Sequence, residues 1–399
     1  MYKNIVYVIV IFVALKLMDF NQTTTAMWIA PYLSAAVNFD WSNFSLLVSM
    51  DEVKSFSHLT QEQFFSYHFT KTDNLIEYNY LAKGLVIALI FAKKIFFWMG
   101  DLKALQYLQY VVHIGISLLI LNIFKENYKK FLFFFLYAVN PLILYFVNYP
   151  YYYFWQVVPS VIFIYWYLKK DISLLMLVVF SVIFSYIYIT RPTVLFLIIL
   201  FYILFAFRDS YKKSFIGFSI FVVLVSIAPK LSIGPWHTAY VGIGAYQNPY
   251  NIKLDDEEGY KYYKNQTGKI INSSNVMVEE IKSDYYNVLK QRLVEIVKEN
   301  PMMFVKNMLL NISESYSVGY KVGNKTLIYL SAFLGLLMMV LLLYTKQYIL
   351  FLAIGFASGS FTPYFPPIGA YMYGSYILLV VAFIGVVEYF LKKRVLNEK

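Results

Sequence analysis

Apolar positions along this chain gather into long, nearly unbroken runs instead of the spaced stripes of soluble helices. Runs that approach the ~30 Å of a bilayer core lie near residues 4–20, 104–122, 131–147, 153–168, 172–188, 192–207, 214–229, 326–344, 348–361 and 372–391. They predict an all-α polytopic membrane protein with about ten transmembrane helices. Another apolar stretch, Leu81 to Trp98, is interrupted by Lys83, Lys93 and Lys94 and reads as an interfacial helix whose lysines snorkel to headgroup level. Two long stretches lie outside the runs, 21–103 and 230–325, and connectors of that length usually carry function. In the second the period changes: Ile281, Tyr285, Val288, Leu289, Leu293, Ile296 and Val297 recur at helical spacing, with Lys290, Arg292, Glu295 and Lys298 on the other face. Asn300-Pro301 then supplies an N-cap and a first-turn proline for a helix over Met302 to Leu310. The expected organisation is a membrane module, 1–229, that includes the outer segment 21–103 with its interfacial helix near 81–98. A large, partly helical outer loop follows over 230–325, and then C-terminal membrane helices with a tail over 326–399.

Charge gives this pattern a direction. Only 14% of the 399 residues are charged, against 60% hydrophobic and 20% aromatic, whereas soluble domains carry about 25% charged residues. An ordinary soluble enzyme is thereby excluded. The net charge of +11 is concentrated in Lys3, Lys125/Lys129/Lys130, Lys169/Lys170, Arg208/Lys212/Lys213, Lys346 and the tail Lys392/Lys393/Arg394/Lys399, relieved only by Glu126, Asp171, Asp209 and Glu398. These are alternate connections if Leu81 to Trp98 does not cross, so the positive-inside rule puts both termini in the cytoplasm and both long segments outside. The excess charge is thus a topology signal and gives no support to a nucleic-acid partner. A bias toward Lys, Ile, Phe, Tyr and Asn suggests an AT-rich bacterial gene and a bacterial inner (plasma) membrane. Residues 4–15 also have the form of a signal-peptide apolar region behind Lys3, but no small-x-small cleavage site follows closely, which favours an uncleaved anchor. Cysteine is absent, so disulfides and thiolate metal sites are excluded.

The runs are nearly free of ionisable groups. Lys16 and Asp19 close the first, His113 lies within the second and Glu388 near the end of the last. Pumps and ion-coupled transporters place such groups at mid-membrane, so chemistry is expected at the outer face, with His113 a helix-packing residue. There Asp51-Glu52 offers a carboxylate as general base or metal ligand. Neighbouring side chains diverge, so at most one aims into a given pocket, and a solvated capping pair is the competing reading. Arg191, ahead of Pro192, suits either a bidentate phosphate grip or an interfacial anchor. The run from Trp236-His237 through Gly242-x-Gly244 to Asn248-Pro249 sets flexible glycines among stacking aromatics, as a sugar or lipid-headgroup surface would. Asp255 to Glu258 could hold a divalent cation through oxygen ligands, or form a solvated acidic turn. Aromatic clusters at Tyr149 to Trp155 and Tyr364 to Tyr373 read first as the interfacial belt.

The single anchor, the long outer segment with Asp51-Glu52 near its middle, and Tyr78-Asn79-Tyr80 leading to Lys83 and an interfacial helix together resemble the GT-C superfamily of membrane glycosyltransferases. The likeness is to its branch of protein O-mannosyltransferases and lipid A aminoarabinose transferases. It spans about residues 1–230 and implies a GT-C-like fold. It also implies transfer of a sugar from a polyprenyl-phosphate donor to a cell-surface glycan, lipid or protein acceptor at the outer face, with inversion. On this resemblance Asp51 is the base toward the acceptor, Glu52 its partner in the dipeptide, and Lys83, close after Tyr80, contacts the carrier phosphate. Arg191 would be a second phosphate contact, Trp236 and His237 substrate contacts, and Asp73 and Glu77 fallback acids. No cofactor is certain from the sequence, and a divalent cation held by the acidic residues is the one candidate. The alternatives are an O-antigen or capsule polymerase or ligase, which would rely on outer-loop arginines where this loop has only Arg292, and a lipid-linked sugar flippase or other transporter.

Overall fold

The computed structural model describes residues 2–18, 23–41, 46–77, 82–169, 172–228, 234–271 and 279–397, and the chain is mostly helical. It divides into two compact units, Met1–Lys230 with Tyr373–Lys399, and Leu231–Met372. The long second loop and the two apolar helices after it therefore form one body, and the last helix runs into the first unit.

In the first unit, α1 (Tyr2–Leu17) and α2 (Thr23–Val37) precede a small outer-segment fold: β1 (Leu47–Val48), α3 (Met50–Ser57), α4 (Gln61–Ser66), β2 (Ile76–Glu77) and α5 (Lys83–Ile95). The strands pair antiparallel, Leu47 with Glu77 and Val48 with Ile76. The apolar runs follow as α6 (Asp101–Ile123), α7 (Asn127–Phe133), α8 (Pro141–Val147), α9 (Val157–Lys169), α10 (Leu174–Thr190), α11 (Leu195–Arg208) and α12 (Tyr211–Ile227). Between α7 and α8 a π-helical turn at Phe134–Ala138 and the first-turn Pro141 bend the helix by 53°, both ordinary causes of a sharp kink. His113 is fully buried, its Nε2 3.0 Å from the Ala138 carbonyl, which is the packing role expected of it.

In the second unit, α13 (Trp236–Gly242), α14 (Asp256–Thr267), α15 (Glu279–Glu299) and α16 (Pro301–Glu314) precede α17 (Lys325–Tyr344) and α18 (Tyr348–Ser358), while α19 (Gly369–Asn397) starts here and continues into the first unit. The expected stripe on α15 is its buried face: Tyr285, Leu289, Leu293 and Ile296 are enclosed. Asn300 caps α16 as predicted, its Oδ1 accepting from Met303 N at 3.2 Å, although the helix extends to Glu314.

Among the described residues, each of the ten apolar runs falls largely on helix. Among the described residues α6, α17 and α19 are long and apolar enough to cross a bilayer, and the bent α7–α8 pair would make a fourth. The other runs form shorter helices, such as the 17 residues of α10. α5 has 13 residues, a rise of about 20 Å, and is too short to cross by itself.

Different polar contacts tie the two ends of the helices in the first unit. At one end Lys129 Nζ reaches Glu388 (2.8 Å) and Glu126 (3.2 Å), Glu388 also meets Lys392 (2.6 Å), and Trp166 Nε1 donates to Asp209 Oδ2 (2.8 Å). At the other end, neutral amides tie the connections. Gln109 Nε2 donates to the carbonyls of Val147 and Tyr149, both at 2.9 Å, and Asn148 Nδ2 to those of Met18 (3.0 Å) and Leu15 (3.3 Å). The candidate residues of this unit belong to this second end and to the outer-segment fold beside it.

Candidate functional site

Ser49 starts α3, its hydroxyl accepting from Glu52 N at 3.4 Å, and the acidic pair occupies the first turn, where the helix dipole favours negative charge. The two carboxylates diverge. Asp51 is exposed, and its side chain has no hydrogen bond or ion pair among the described residues. Glu52 is buried, with Oε1 accepting from Thr70 N (2.7 Å) and Thr70 Oγ1 (3.4 Å), and with Oε2 unpartnered among the described residues. Burial raises the Glu52 pKa above the usual glutamate value, and the hydrogen bonds from Thr70 oppose it. Its evident task is to hold the backbone of segment 67–72. A second buried carboxylate, Asp101, holds the same segment, accepting from Phe69 N (3.0 Å) and pairing with Lys93 Nζ (2.7 Å) and His68 Nδ1 (3.5 Å). Sequence reasoning passed over Asp101, because a lone acid at the head of an apolar helix looks like a cap.

Lys83 begins α5 and is half-buried. Burial lowers its pKa, with Glu77 opposing. The next residue, Gly84, lies against α10 so closely that an added Cβ would stand 2.2 Å from Thr190 Oγ1 and 2.8 Å from Thr190 N. Thr190 precedes Arg191, whose guanidinium is buried over the rings of Tyr152 (4.9 Å) and Tyr153 (5.2 Å). The two cations singled out in the sequence thus flank one backbone contact. Packing of α2 against both α3 and α5 joins the Asp51-Glu52 turn to the same outer-segment fold. Asp73 and Glu77 are exposed, and Tyr80 lies outside the described residues.

Trp236 and His237 open α13 in the second unit. Lys290 Nζ stands 5.2 Å from the centre of the Trp236 ring. His237 lies parallel to Tyr260 (5.5 Å between centroids), with Nε2 3.0 Å from Asp256 Oδ1 and Nδ1 2.5 Å from Tyr285 Oη. With Nε2–H donating to the carboxylate, Nδ1 accepts from the Tyr285 hydroxyl, and the three residues form one hydrogen-bonded chain. Hydrogen bonding from His237 holds Asp256 below the usual aspartate range, and burial pushes the Tyr285 phenol up. The expectation of flexible glycines here is corrected. An added Cβ on Gly242 would stand 2.3 Å from the Tyr364 carbonyl oxygen, and one on Gly244 2.1 Å from the Lys253 carbonyl carbon, so both glycines serve tight backbone packing. The acidic run caps α14, Asp255 Oδ1 accepting from Glu257 N at 3.1 Å. No cluster of three or more metal-ligating side chains is found among the described residues. Arg292 is engaged by Glu295 (3.0 Å), Glu299 (3.9 Å) and the Tyr250 ring (5.5 Å).

One crevice of about 780 Å³ is lined almost wholly by apolar side chains of α11 and α12, including Ile199, Tyr202 and Phe215. It adjoins the start of α12, whereas Arg191 precedes α11, so this volume is not the predicted site. No protein-family model, curated protein or solved structure matches the chain.

Proposed function

We propose that the chain is a multi-pass membrane glycosyltransferase of the GT-C kind, with about ten spans and both termini in the cytoplasm of a bacterial cell. It would transfer a sugar from a polyprenyl-phosphate donor to a glycan, lipid or protein acceptor at the outer face of the inner membrane. The observation that supports this best is the seating of Lys83-Gly84 on Thr190-Arg191, which brings two cations from separate parts of the chain to one backbone contact. A phosphate docked there would meet a half-buried ammonium and a buried guanidinium, where low dielectric strengthens each interaction. In the reaction Asp51 takes the proton of the acceptor hydroxyl and that oxygen attacks the anomeric carbon. The bond from this carbon to the phosphate oxygen breaks, and the lipid phosphate leaves with the electron pair, its new charge held by Lys83 and Arg191. Asp51 suits the base because its carboxylate is exposed, whereas Glu52 is a positioning residue that fixes segment 67–72 through Thr70.

The test is transfer from a radiolabelled polyprenyl-phosphate sugar in proteoliposomes. Loss of a positioned base costs about 10²- to 10⁴-fold, so Asp51→Asn is expected to insert and fold normally while losing at least 100-fold in rate. Unchanged transfer by that variant would remove Asp51 from the reaction.

A further inference from the structure

The C-terminal end of α16 and the turn after it are fastened to the middle of an apolar helix long enough to span a membrane. Gly335 lies ten residues along α17 from Lys325, about 15 Å of helix and roughly half the depth of a bilayer core. An added Cβ there would stand 1.7 Å from the Ser313 carbonyl oxygen. Around this approach the Ser313 hydroxyl donates to the Ala332 carbonyl, Ser317 Oγ and Ser331 Oγ lie 2.6 Å apart, and Ser331 Oγ donates to the Gly319 carbonyl at 2.8 Å. Tyr316 Oη donates to the Phe351 carbonyl at 2.8 Å, only a few residues from the start of α18. The chain then returns, Tyr320 N donating to the Pro367 carbonyl at 2.9 Å. Apolar side chains remain uncovered along this segment, Leu309 at 59% exposure and Val318 at 47%. They continue the exposed apolar surface of α17, which includes Leu330, Phe333, Leu336 and Leu337.

We propose that residues 309–319 form a re-entrant turn that dips into the outer leaflet, its exposed face covered by lipid acyl chains, with Glu314 carried there as a neutral carboxylic acid. The proposal rests on α17 being a membrane span. Glu314 has no exposed surface, and neither of its oxygens has a hydrogen-bond acceptor's usual donor or an ion-pair partner among the described residues. Tyr246 lies beside the carboxyl, but its hydroxyl donates to Asn311 Oδ1 (2.8 Å), and Asn311 Nδ2 donates to the Thr362 carbonyl (3.0 Å). With the Tyr246 proton committed to Asn311, a proton on Glu314 donated to Tyr246 Oη completes this chain among the described residues. An ionised carboxylate would face the phenol's lone pairs in a low-dielectric site, whereas the neutral acid is satisfied.

Because the chain has no cysteine, single-cysteine variants of the full protein in proteoliposomes provide the test with a membrane-impermeant maleimide. Cysteines replacing Leu309, Val318 and, on α17, Leu336 should react at least 10-fold more slowly than one replacing the exposed Lys264 of α14, and all four should react alike once denatured in SDS. Reaction of the 309 and 318 positions at the Lys264 rate, with Leu336 still shielded, would overturn the re-entrant turn alone. Reaction at Leu336 as well would overturn it together with the span. For Glu314, the infrared spectrum at neutral pH should contain a protonated-carboxyl band that Glu314→Gln removes without opening the 318 position to maleimide, since a glutamine amide can also donate to Tyr246. A difference spectrum with carboxylate bands only would refute the neutral acid.

Discussion

Gly84→Ala tests the contact on which the proposed site depends. The added methyl would stand 2.2 Å from Thr190 Oγ1, 2.8 Å from Thr190 N and 3.0 Å from Thr190 Cα. Two of these atoms are backbone, so rotating the Thr190 side chain cannot relieve the clash, and α5 must move away from α10. Overpacking of this kind costs about 1–3 kcal/mol, and the better helix propensity of alanine returns at most ~1 kcal/mol. With that gain returned in full the expected net loss is roughly 0–2 kcal/mol, or about 1–3 kcal/mol relative to a glycine-to-alanine change without overpacking. The control is Gly115→Ala on α6, where nothing lies within 4 Å of the added atom and the same propensity gain should leave stability unchanged or raised. Thermal unfolding in detergent, followed by intrinsic fluorescence, measures both variants. Sugar transfer should fall in the Gly84 variant by more than its stability loss explains, because parting the helices would disturb the contact beside which Lys83 and Arg191 are proposed to hold the phosphate. Adding Thr190→Ala to Gly84→Ala should restore only part of the loss, since it removes Oγ1 and leaves the backbone contacts. A Gly84→Ala protein as stable and active as the Gly115→Ala control would refute the close approach and the site built on it.

Glu52 gives a pH dependence with a defined sign. Its folded-state pKa is raised, so the unfolded chain releases the proton first as pH climbs. Its contribution should favour the fold at low pH and be lost between the ordinary glutamate value and the higher folded one. The difference in melting temperature between wild type and Glu52→Gln should therefore shift against wild type across that window, and a difference independent of pH would exclude the raised value. In the second unit, Tyr285→Phe removes one hydrogen bond, worth about 1 kcal/mol. His237→Ala strands the buried Tyr285 hydroxyl and should cost up to about 3 kcal/mol, so equal losses in denaturant titrations would dissolve the proposed hydrogen-bonded chain.

The helices were legible wherever a run of apolar residues or a local capping signal was enough to specify them. The ten apolar runs, the buried stripe of α15 and the Asn300-Pro301 start of α16 all depend on near neighbours in sequence. What escaped depends on residues far apart. Nothing local marks Asp101 as the acid that clasps Phe69 and Lys93, or Gly84 as the seat of Thr190. The glycines at 242 and 244 misled for the same reason, because a glycine needed for close packing and one needed for flexibility look alike until the opposing backbone is known. Glu314 was hidden in a segment read as part of the large outer loop, since one acid among Asn, Ser and Tyr gives no periodic signal of burial.

Glu52 and Glu314 are both buried carboxyls, and their surroundings assign them opposite duties. Glu52 Oε1 receives a backbone N–H and a hydroxyl from Thr70, while the nearby Asp101 charge opposes its ionisation and Lys93 favours it. Donors of this kind stabilise an anion, so deprotonation is partly supported and the residue can anchor a loop while remaining titratable. Around Glu314 the groups within reach have already given their protons elsewhere, Tyr246 to Asn311 and Asn311 to Thr362, so that site rewards a donor and penalises a charge. The distinction gives paired expectations. Replacing Glu52 by glutamine leaves Oε1 to accept from Thr70 but buries the Nε2 donor where Oε2 has no partner among the described residues, and should weaken the site that holds segment 67–72. Replacing Glu314 by glutamine supplies the donor its network lacks, and should be tolerated. The ranking of the two variants in thermal stability therefore tests the hydrogen-bond polarity assigned to both sites, and a Glu314→Gln protein less stable than Glu52→Gln would reverse it.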